Sequence, residues 1–343
     1  MNSIWWWFNS ISSCRISTDE NLEKVEKSFY VILSAIKQEG AINKEYKRIE
    51  FTNKVLLLVN NLECIEIPYE EFEFFSQIVL ESIKSGKGTF EIPEIELFLQ
   101  KIKITKIKAS NDSKKDIIFK IHDDFTDAEP IIGFSIKSYI ENKPTLLNAS
   151  GATKVQYKLS RPLSTYEVEF LHNISTRTKI KDRVEYIKDK GVLLDFDSMI
   201  NETFNRNLQT VDYRMPEILG NLFLESYFVE GKSISDVVDK YCDEFSEDKE
   251  IIIHKVKDLL VAVALGMEPN TKWTGLEDAN GGYIVVKDDG EVLCYHIYDR
   301  NKLRNYLFRN TKFDSPSSSW TGAGLITVHN GEQKFSLTIQ IRF

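Results

Sequence analysis

Cysteine is scarce in this chain of 343 residues: Cys14, Cys64, Cys242 and Cys294 stand far apart, with no Cys-x-x-Cys pair. That spacing argues against a structural zinc site and a dense disulfide framework, and it fits a reducing cytoplasm. Histidines are equally dispersed (His122, His172, His254, His296, His329), so the sequence shows no His-rich metal cluster. No apolar run approaches the roughly 20 residues a membrane span needs. The opening Ile4-Trp5-Trp6-Trp7-Phe8 is apolar but short, and it lacks the basic n-region and cleavage site of a secretory signal. Internal repeats and low-complexity linkers are lacking too, which favours one integrated α/β unit over two independent domains.

Positive charge is also in short supply, with a formal net charge of -8. Global charge is a poor test for a nucleic-acid binder, because a phosphate-binding surface needs only a local basic patch. Lys101 to Lys115 offers one: Lys101, Lys103, Lys106, Lys108, Lys114 and Lys115 stand against the single acid Asp112. A solvated strand face and loop is the competing reading.

What is present reads as alternating helices and strands. Leu22, Val25, Phe29, Ile32 and Ile36 recur at three- and four-residue steps, predicting a helix from Asp19 to Lys37. Glu50 to Ile67 reads as strands, with Val55 to Val59 buried and Asn60-Asn61 as the turn. Pro68 opens a helix that runs to about Ser85. Glu94 to Leu99 suits a helical turn or two, Lys101 to Ile104 alternates like a strand, and a parity slip at Thr105 suggests a bulge. Asp116 to Ile121 and Ile131 to Ile136 then form a predicted hairpin. Ser164 to about Gly266 is mostly helical, and Gly281-Gly282 begins a β-rich tail interrupted by a short helix from Arg300 to Leu307.

The hairpin carries the chemistry. Asp116 opens one strand, and Ser135, Ile136 and Lys137 close the other, twenty-one positions separating the aspartate from the lysine. Period-two alternation puts Ser135 and Lys137 on one face while Ile136 points to the core, its carbonyl on the strand edge. Phosphodiester hydrolysis needs a divalent metal, an activated water and compensation for negative charge on the phosphorus. Mg²⁺ is served by one or two carboxylates plus a main-chain carbonyl, and it keeps several waters. This is the Asp…(Glu/Asp)-x-Lys nuclease pattern with Ser135 in the acid slot. The pattern alone is weak, since surface lysines at strand ends are common.

Longer blocks raise its weight. Ile131-Ile132-Gly133-Phe134-Ser135-Ile136-Lys137-Ser138, then Pro144-Thr145-Leu146-Leu147-Asn148-Ala149-Ser150, resembles the HpaII-type restriction endonucleases. Leu276 to Val286, Tyr295 to Tyr298, Asn310 to Ser319 and the terminal Leu337 to Phe343 are similar too, so the resemblance runs from roughly Asp19 to Phe343. It implies a mixed-sheet restriction-endonuclease-like nuclease core with a helical insertion and a C-terminal β-rich region. On that basis the chain divides into an atypical segment 1–18, a core at 19–163, helices at 164–270 and β structure at 271–343.

The resemblance also implies a homodimeric type II enzyme that uses Mg²⁺ to cut double-stranded DNA at a short palindrome such as CCGG. Its functional partner is a cognate DNA methyltransferase. Carried over residue by residue, Asp116 and the Ile136 carbonyl become metal ligands, Lys137 orients water, and Ser135 fills the acid slot. Ser138, Thr145, Asn148, Ser150 and Lys154 become DNA contacts, although a structured loop explains the Thr145–Ser150 block equally simply. Members of the family begin with a helix bearing a Gly-Glu-Trp-Ser-Glu-like stretch, whereas this chain has its tryptophan run there. The expectation is an altered N-terminus that leaves Asp116 short of a carboxylate partner, with Glu20, Glu23, Glu96 and Glu129 as substitutes. A DNA-binding remnant that no longer cuts, and a repair or junction nuclease, are the readings that compete.

Overall fold

A computed structural model describes residues 15–17, 30–49, 52–85, 92–105, 114–123, 126–138, 144–286, 292–296, 300–314, 322–329 and 331–343. In chain order the first strands are β1 (Arg15–Ser17), β2 (Tyr30–Glu39), β3 (Ile42–Ile49), β4 (Lys54–Val59) and β5 (Leu62–Pro68). Helices α1 (Tyr69–Ser85) and α2 (Pro93–Lys101) precede β6 (Ile117–Asp123), β7 (Ile131–Ser138), β8 (Thr145–Leu147) and β9 (Lys154–Leu159). Next come α3 (Thr165–Asn173), α4 (Lys179–Asp189), β10 (Leu194–Met199), α5 (Glu202–Val211) and α6 (Met215–Glu225). The chain continues through α7 (Ile234–Phe245), α8 (Lys249–Leu265), β11 (Gly282–Val286), β12 (Val292–His296) and α9 (Arg300–Asn310). It ends in β13 (Lys312–Asp314), β14 (Leu325–His329), β15 (Glu332–Thr338) and β16 (Gln340–Arg342). Two compact units result, one from Met1–Pro144 with Glu277–Leu303, the other from Thr145–Leu276 with Arg304–Phe343.

The first unit is organised by a nine-stranded mixed sheet in the order β1-β12-β11-β7-β6-β2-β3-β4-β5. One face of that sheet is the core. Ile117, Phe119 and Ile121 alternate inward along β6, and Phe134 joins them from β7. Phe72, Val79 and Ile83 of α1 and Ile95, Phe98 and Leu99 of α2 close over this face. Phe98 meets Phe72 edge-on at 5.3 Å and stacks on Phe75 at 4.3 Å. The two-residue β4–β5 turn has Asn60 and Asn61 at φ 50 and 65, the left-handed backbone that hairpin turns require and asparagine tolerates.

Two sequence expectations fail in this unit. Tyr30–Glu39 is a strand and not the end of a helix. It pairs with β3 on one side and β6 on the other, and a register shift against β6 between Ile32 and Ser34 breaks the alternation that marks a strand. Residues 18–29 of that expected helix, like Lys106-Ile107-Lys108, lie outside the described residues. Lys101 to Ile104 is not a strand either. The Lys103 N–H donates to the Gln100 carbonyl at 3.0 Å and the Ile104 N–H to the Leu99 carbonyl at 2.8 Å. With Lys103 at φ 61, this is a Schellman ending for α2. Ile104 and Leu99 are both buried there, the hydrophobic contact such an ending favours.

The second unit holds a four-stranded antiparallel sheet, β10-β9-β15-β14, and a three-stranded sheet, β13-β16-β8. Helix α6 and the C-terminal half of α8 are buried nearly all round, as core helices should be. Strand β10 interrupts the region read as helical. It is six residues long, carries two aspartates, and among the described residues pairs only with β9, so its own sequence signals it poorly. Segment 271–343 supplies β11 and β12 to the first unit and its last strands to the second. No described helix is long and apolar enough to cross a membrane.

Candidate active site

The hairpin forms as its alternation requires. Strands β6 and β7 pair antiparallel with Ile117 opposite Phe134 and Lys120 opposite Ile131. Asp116 sits one residue before β6, yet it stays in register because its N–H donates to the Phe134 carbonyl at 2.8 Å. Since Ile117 and Phe134 face the core, Asp116 and Ser135 turn to the opposite face, and Lys137 follows Ser135 at the period-two step. The side chains then meet. Asp116 Oδ2 accepts the Ile136 N–H at 2.7 Å and the Ser135 hydroxyl at 3.4 Å.

Ser135 is 2% exposed, so this carboxylate lies in a sheltered site. Burial pushes the Asp116 pKa up. The Ile136 N–H, the Lys137 charge, the Ser135 hydroxyl and the Lys114 charge pull it down, and burial still prevails. A carboxylate in that condition is short of positive charge, and a bound cation would supply it. N–H and C=O of one strand residue leave on the same edge, so the Ile136 carbonyl is directed to the side where its N–H meets Asp116. Carboxylate, carbonyl and hydroxyl are hard oxygen donors, the set that suits Mg²⁺. Among the described residues no group of three His, Cys, Asp or Glu side chains stands together as a metal cluster.

Strand β11 lies parallel to β7 on its other edge, with Tyr283 opposite Ser135 and Val285 opposite Lys137. The Lys137 ammonium sits 5.3 Å from the centre of the Tyr283 ring, a cation–π contact that restrains it. The turn leading into β11 grips the active strand. Gly133 donates its N–H to the Asn280 side-chain oxygen at 2.9 Å and accepts the Gly281 N–H at 2.7 Å. The approach leaves no room for side chains. A Cβ on Gly133 would lie 2.7 Å from the Asp278 carbonyl oxygen, and one on Gly281 would lie 2.7 Å from the Phe134 ring.

The remaining sequence candidates divide. Ser138 ends β7, but its side chain lies outside the described residues. Thr145, Asn148, Ser150 and Lys154 belong to the second unit: Thr145 opens β8, Lys154 opens β9, and Asn148 and Ser150 lie in the connection between them. Ser150 caps the short 3-10 turn Gly151–Thr153: its hydroxyl accepts the Ala152 N–H at 3.2 Å, and Thr153 Oγ1 accepts the Ser150 N–H at 3.0 Å. Asn148 is exposed and Thr145 and Lys154 are half-buried.

The described substitute carboxylates, Glu96 and Glu129, do not converge on Asp116. Glu129 is 2.6 Å from Lys120, four residues along β6, which at about 3.3 Å per residue is some 13 Å away. Glu96 lines a cleft with Val59 and Cys64, on strands three and four places across the sheet from β6. Glu20 and Glu23 lie outside the described residues. Sequence reasoning gave no role to Asn280 or Tyr283, and it placed Lys114 in the basic patch and not beside Asp116. The Ala279-Asn280-Gly281-Gly282 stretch is the one signal available, marking a tight approach of two backbones.

Comparison with known proteins agrees with this architecture. The sequence model of the HpaII restriction endonuclease family matches residues 6–343, reaching into the N-terminal segment set aside as atypical. Type II restriction enzyme HpaII of Haemophilus parainfluenzae is 38% identical over 320 residues, covering 91% of this chain and 88% of that enzyme. No solved structure matches significantly. The mixed α/β fold is consistent with a restriction-endonuclease-like enzyme, and the chain belongs to the HpaII restriction endonuclease family, a membership that makes it a type II site-specific deoxyribonuclease.

Proposed function

We propose that this enzyme hydrolyses double-stranded DNA with Mg²⁺ at a short palindromic site, CCGG being the site its kinship suggests. The observation that carries this reading is the half-buried Asp116 carboxylate, tied to Ser135 and to the backbone of Ile136 and acted on by the Lys137 charge. Asp116 and the Ile136 carbonyl would hold the ion. Bound there, Mg²⁺ supplies charge at the scissile phosphate and lowers the pKa of the attacking water.

The chain's own groups do the rest. Lys137, restrained on the Tyr283 ring, orients the attacking water and offsets negative charge developing on the phosphate. Ser135 donates to Asp116 and fixes which way the carboxylate faces. Ser138 and Lys154 meet phosphates, while Thr145, Asn148 and Ser150 bring donors and acceptors to the duplex, Asn148 being the exposed amide able to reach a base edge. A palindrome presents two equivalent strands, so a homodimer with two such sites matches it. The protein acts in the cytoplasm beside a methyltransferase that protects the host's own sites.

One observation favours a second reading. Ser135 stands in the slot that the nuclease pattern gives to an acid, a change that a remnant binding DNA without cutting would tolerate. Unmethylated plasmid DNA separates the two. Discrete fragments with Mg²⁺ support the endonuclease, whereas binding without fragments supports the remnant. Structure-dependent nicking would point instead to a repair or junction nuclease. Lys137→Ala is expected to abolish cleavage while sparing binding in Ca²⁺, and unchanged cleavage by that variant refutes the assigned site.

A further inference from the structure

Helix α6 in the second unit is sealed on most sides, with Met215, Ile218, Leu222 and Phe223 fully buried. Glu217, Asn221 and Glu225 nevertheless recur along it at four-residue steps, a spacing that puts all three on one face. That polar stripe lines a cleft of about 490 Å³ whose other walls come from α4, β10 and the end of α7.

Two independent observations indicate that the cleft takes a guest. Asn221 is 9% exposed, and its amide has no hydrogen-bond partner among the described residues. That amide opens onto the cleft, so its hydrogen bonds are left for whatever fills the space. The charge of the lining is the second. Asp195, Glu217, Glu225 and Glu244 line the space with Lys188. Lys240 pairs with Glu225 and Glu244 and Arg214 stands 3.8 Å from Glu217, which leaves Asp195 as the lining acid without a cation beside it among the described residues.

The chain's own ammonium groups show what this lining accepts. Lys240 Nζ lies 2.9 Å from both Glu225 and Glu244. Lys188 Nζ stands 4.4 Å from the centre of the Phe228 ring, a cation–π distance. Asp195 carries no ion-pair partner among the described residues. Between these polar groups, Val184, Val192, Phe196 and Leu224 provide apolar wall, which suits a methylene chain and not a phosphate.

We propose that this cleft binds a small alkylammonium ligand, an aliphatic polyamine being the class that fits. The Asn221 amide oxygen and the Asp195 and Glu217 carboxylates receive its N–H groups, and the apolar wall takes its alkyl stem. Its occupancy depends on no residue of the proposed nuclease site.

Calorimetric titration of the full chain with spermidine, at fixed ionic strength, is expected to show saturable binding. Asn221→Leu is expected to abolish it. Asp195→Asn and Glu217→Gln, at solvent-accessible positions that leave the core intact, are each expected to weaken it about tenfold or more. These two carry the test if Asn221→Leu fails to fold. No saturable heat with the unaltered chain overturns the proposal, as does undiminished affinity in both Asp195→Asn and Glu217→Gln.

Discussion

The β6–β7 hairpin carries an acid and a lysine at each end, and the two arrangements are built in opposite ways. Near its turn, Glu129 and Lys120 form a 2.6 Å surface ion pair, and the lysine's hydrogen bond and charge hold the Glu129 pKa below the usual carboxylate range. At the other end Asp116 is half-buried, and burial holds its pKa above the usual value despite the Ile136 N–H and the Lys137 charge. One pair is complete in itself and the other is short of positive charge. Same hairpin, same residue types: burial and missing compensation, not the presence of an acid beside a lysine, distinguish the proposed site from a solvated face.

The largest effects should therefore fall at the buried end. Asp116→Asn keeps the shape and removes the charge, and Lys137→Ala removes the cation. Each is expected to slow single-turnover cleavage by about 10²–10⁴-fold, the range for losing one charge-stabilising or proton-handling group. Lys120→Ala should leave the rate alone. A rate loss in Lys120→Ala equal to that in Lys137→Ala would erase the distinction between the ends.

Next in size are the groups that hold β7 in place. Asn280→Leu removes the acceptor of the Gly133 N–H, and an unsatisfied buried donor costs about 1–3 kcal/mol. Asn280→Asp retains an acceptor and should recover most of that loss in urea unfolding. Gly133→Ala forces a methyl against the Asp278 carbonyl oxygen, and overpacking against backbone costs about 1–3 kcal/mol. Both destabilising changes should also slow cleavage, because β7 carries Ser135 and Lys137. Full activity in Gly133→Ala would show that the clamp does not position the site.

The contrast also marks what the sequence reveals. Asp116, Ser135 and Lys137 share a face because of period-two alternation in a hairpin, a local property readable from spacing. Helix α1 and the Asn60-Asn61 turn were legible for the same reason, each carrying its signals within a few residues. Strand β2 is not, because a register shift between Ile32 and Ser34 against β6 breaks its alternation. The grip of Asn280 on Gly133 spans 147 positions, and no local pattern encodes which distant loop will meet a strand. Strand β10 hides behind Asp195 and Asp197, residues a strand seldom chooses. There Asp197 is matched by Lys158 at 3.2 Å and Lys334 at 3.0 Å across the sheet, partners known only once the strands are paired.

The smallest effect is expected at the surface pair, and its pH dependence has a definite sign. A carboxyl whose pKa is lowered on folding stabilises the native state above its unfolded value, about 4.3 for Glu, and that contribution is lost as pH falls through the lowered folded value. Glu129 and Lys120 lie in open solvent, where water and salt screen the pair. Glu129→Gln should thus melt at the same temperature as the unaltered chain at pH 7 and at pH 3, in low salt and in high. A loss seen only above about pH 4.3, and erased by salt, would give the pair a structural role. The hairpin would then have two electrostatically significant ends, and exposure alone would no longer separate the solvated pair from the one proposed to bind a metal.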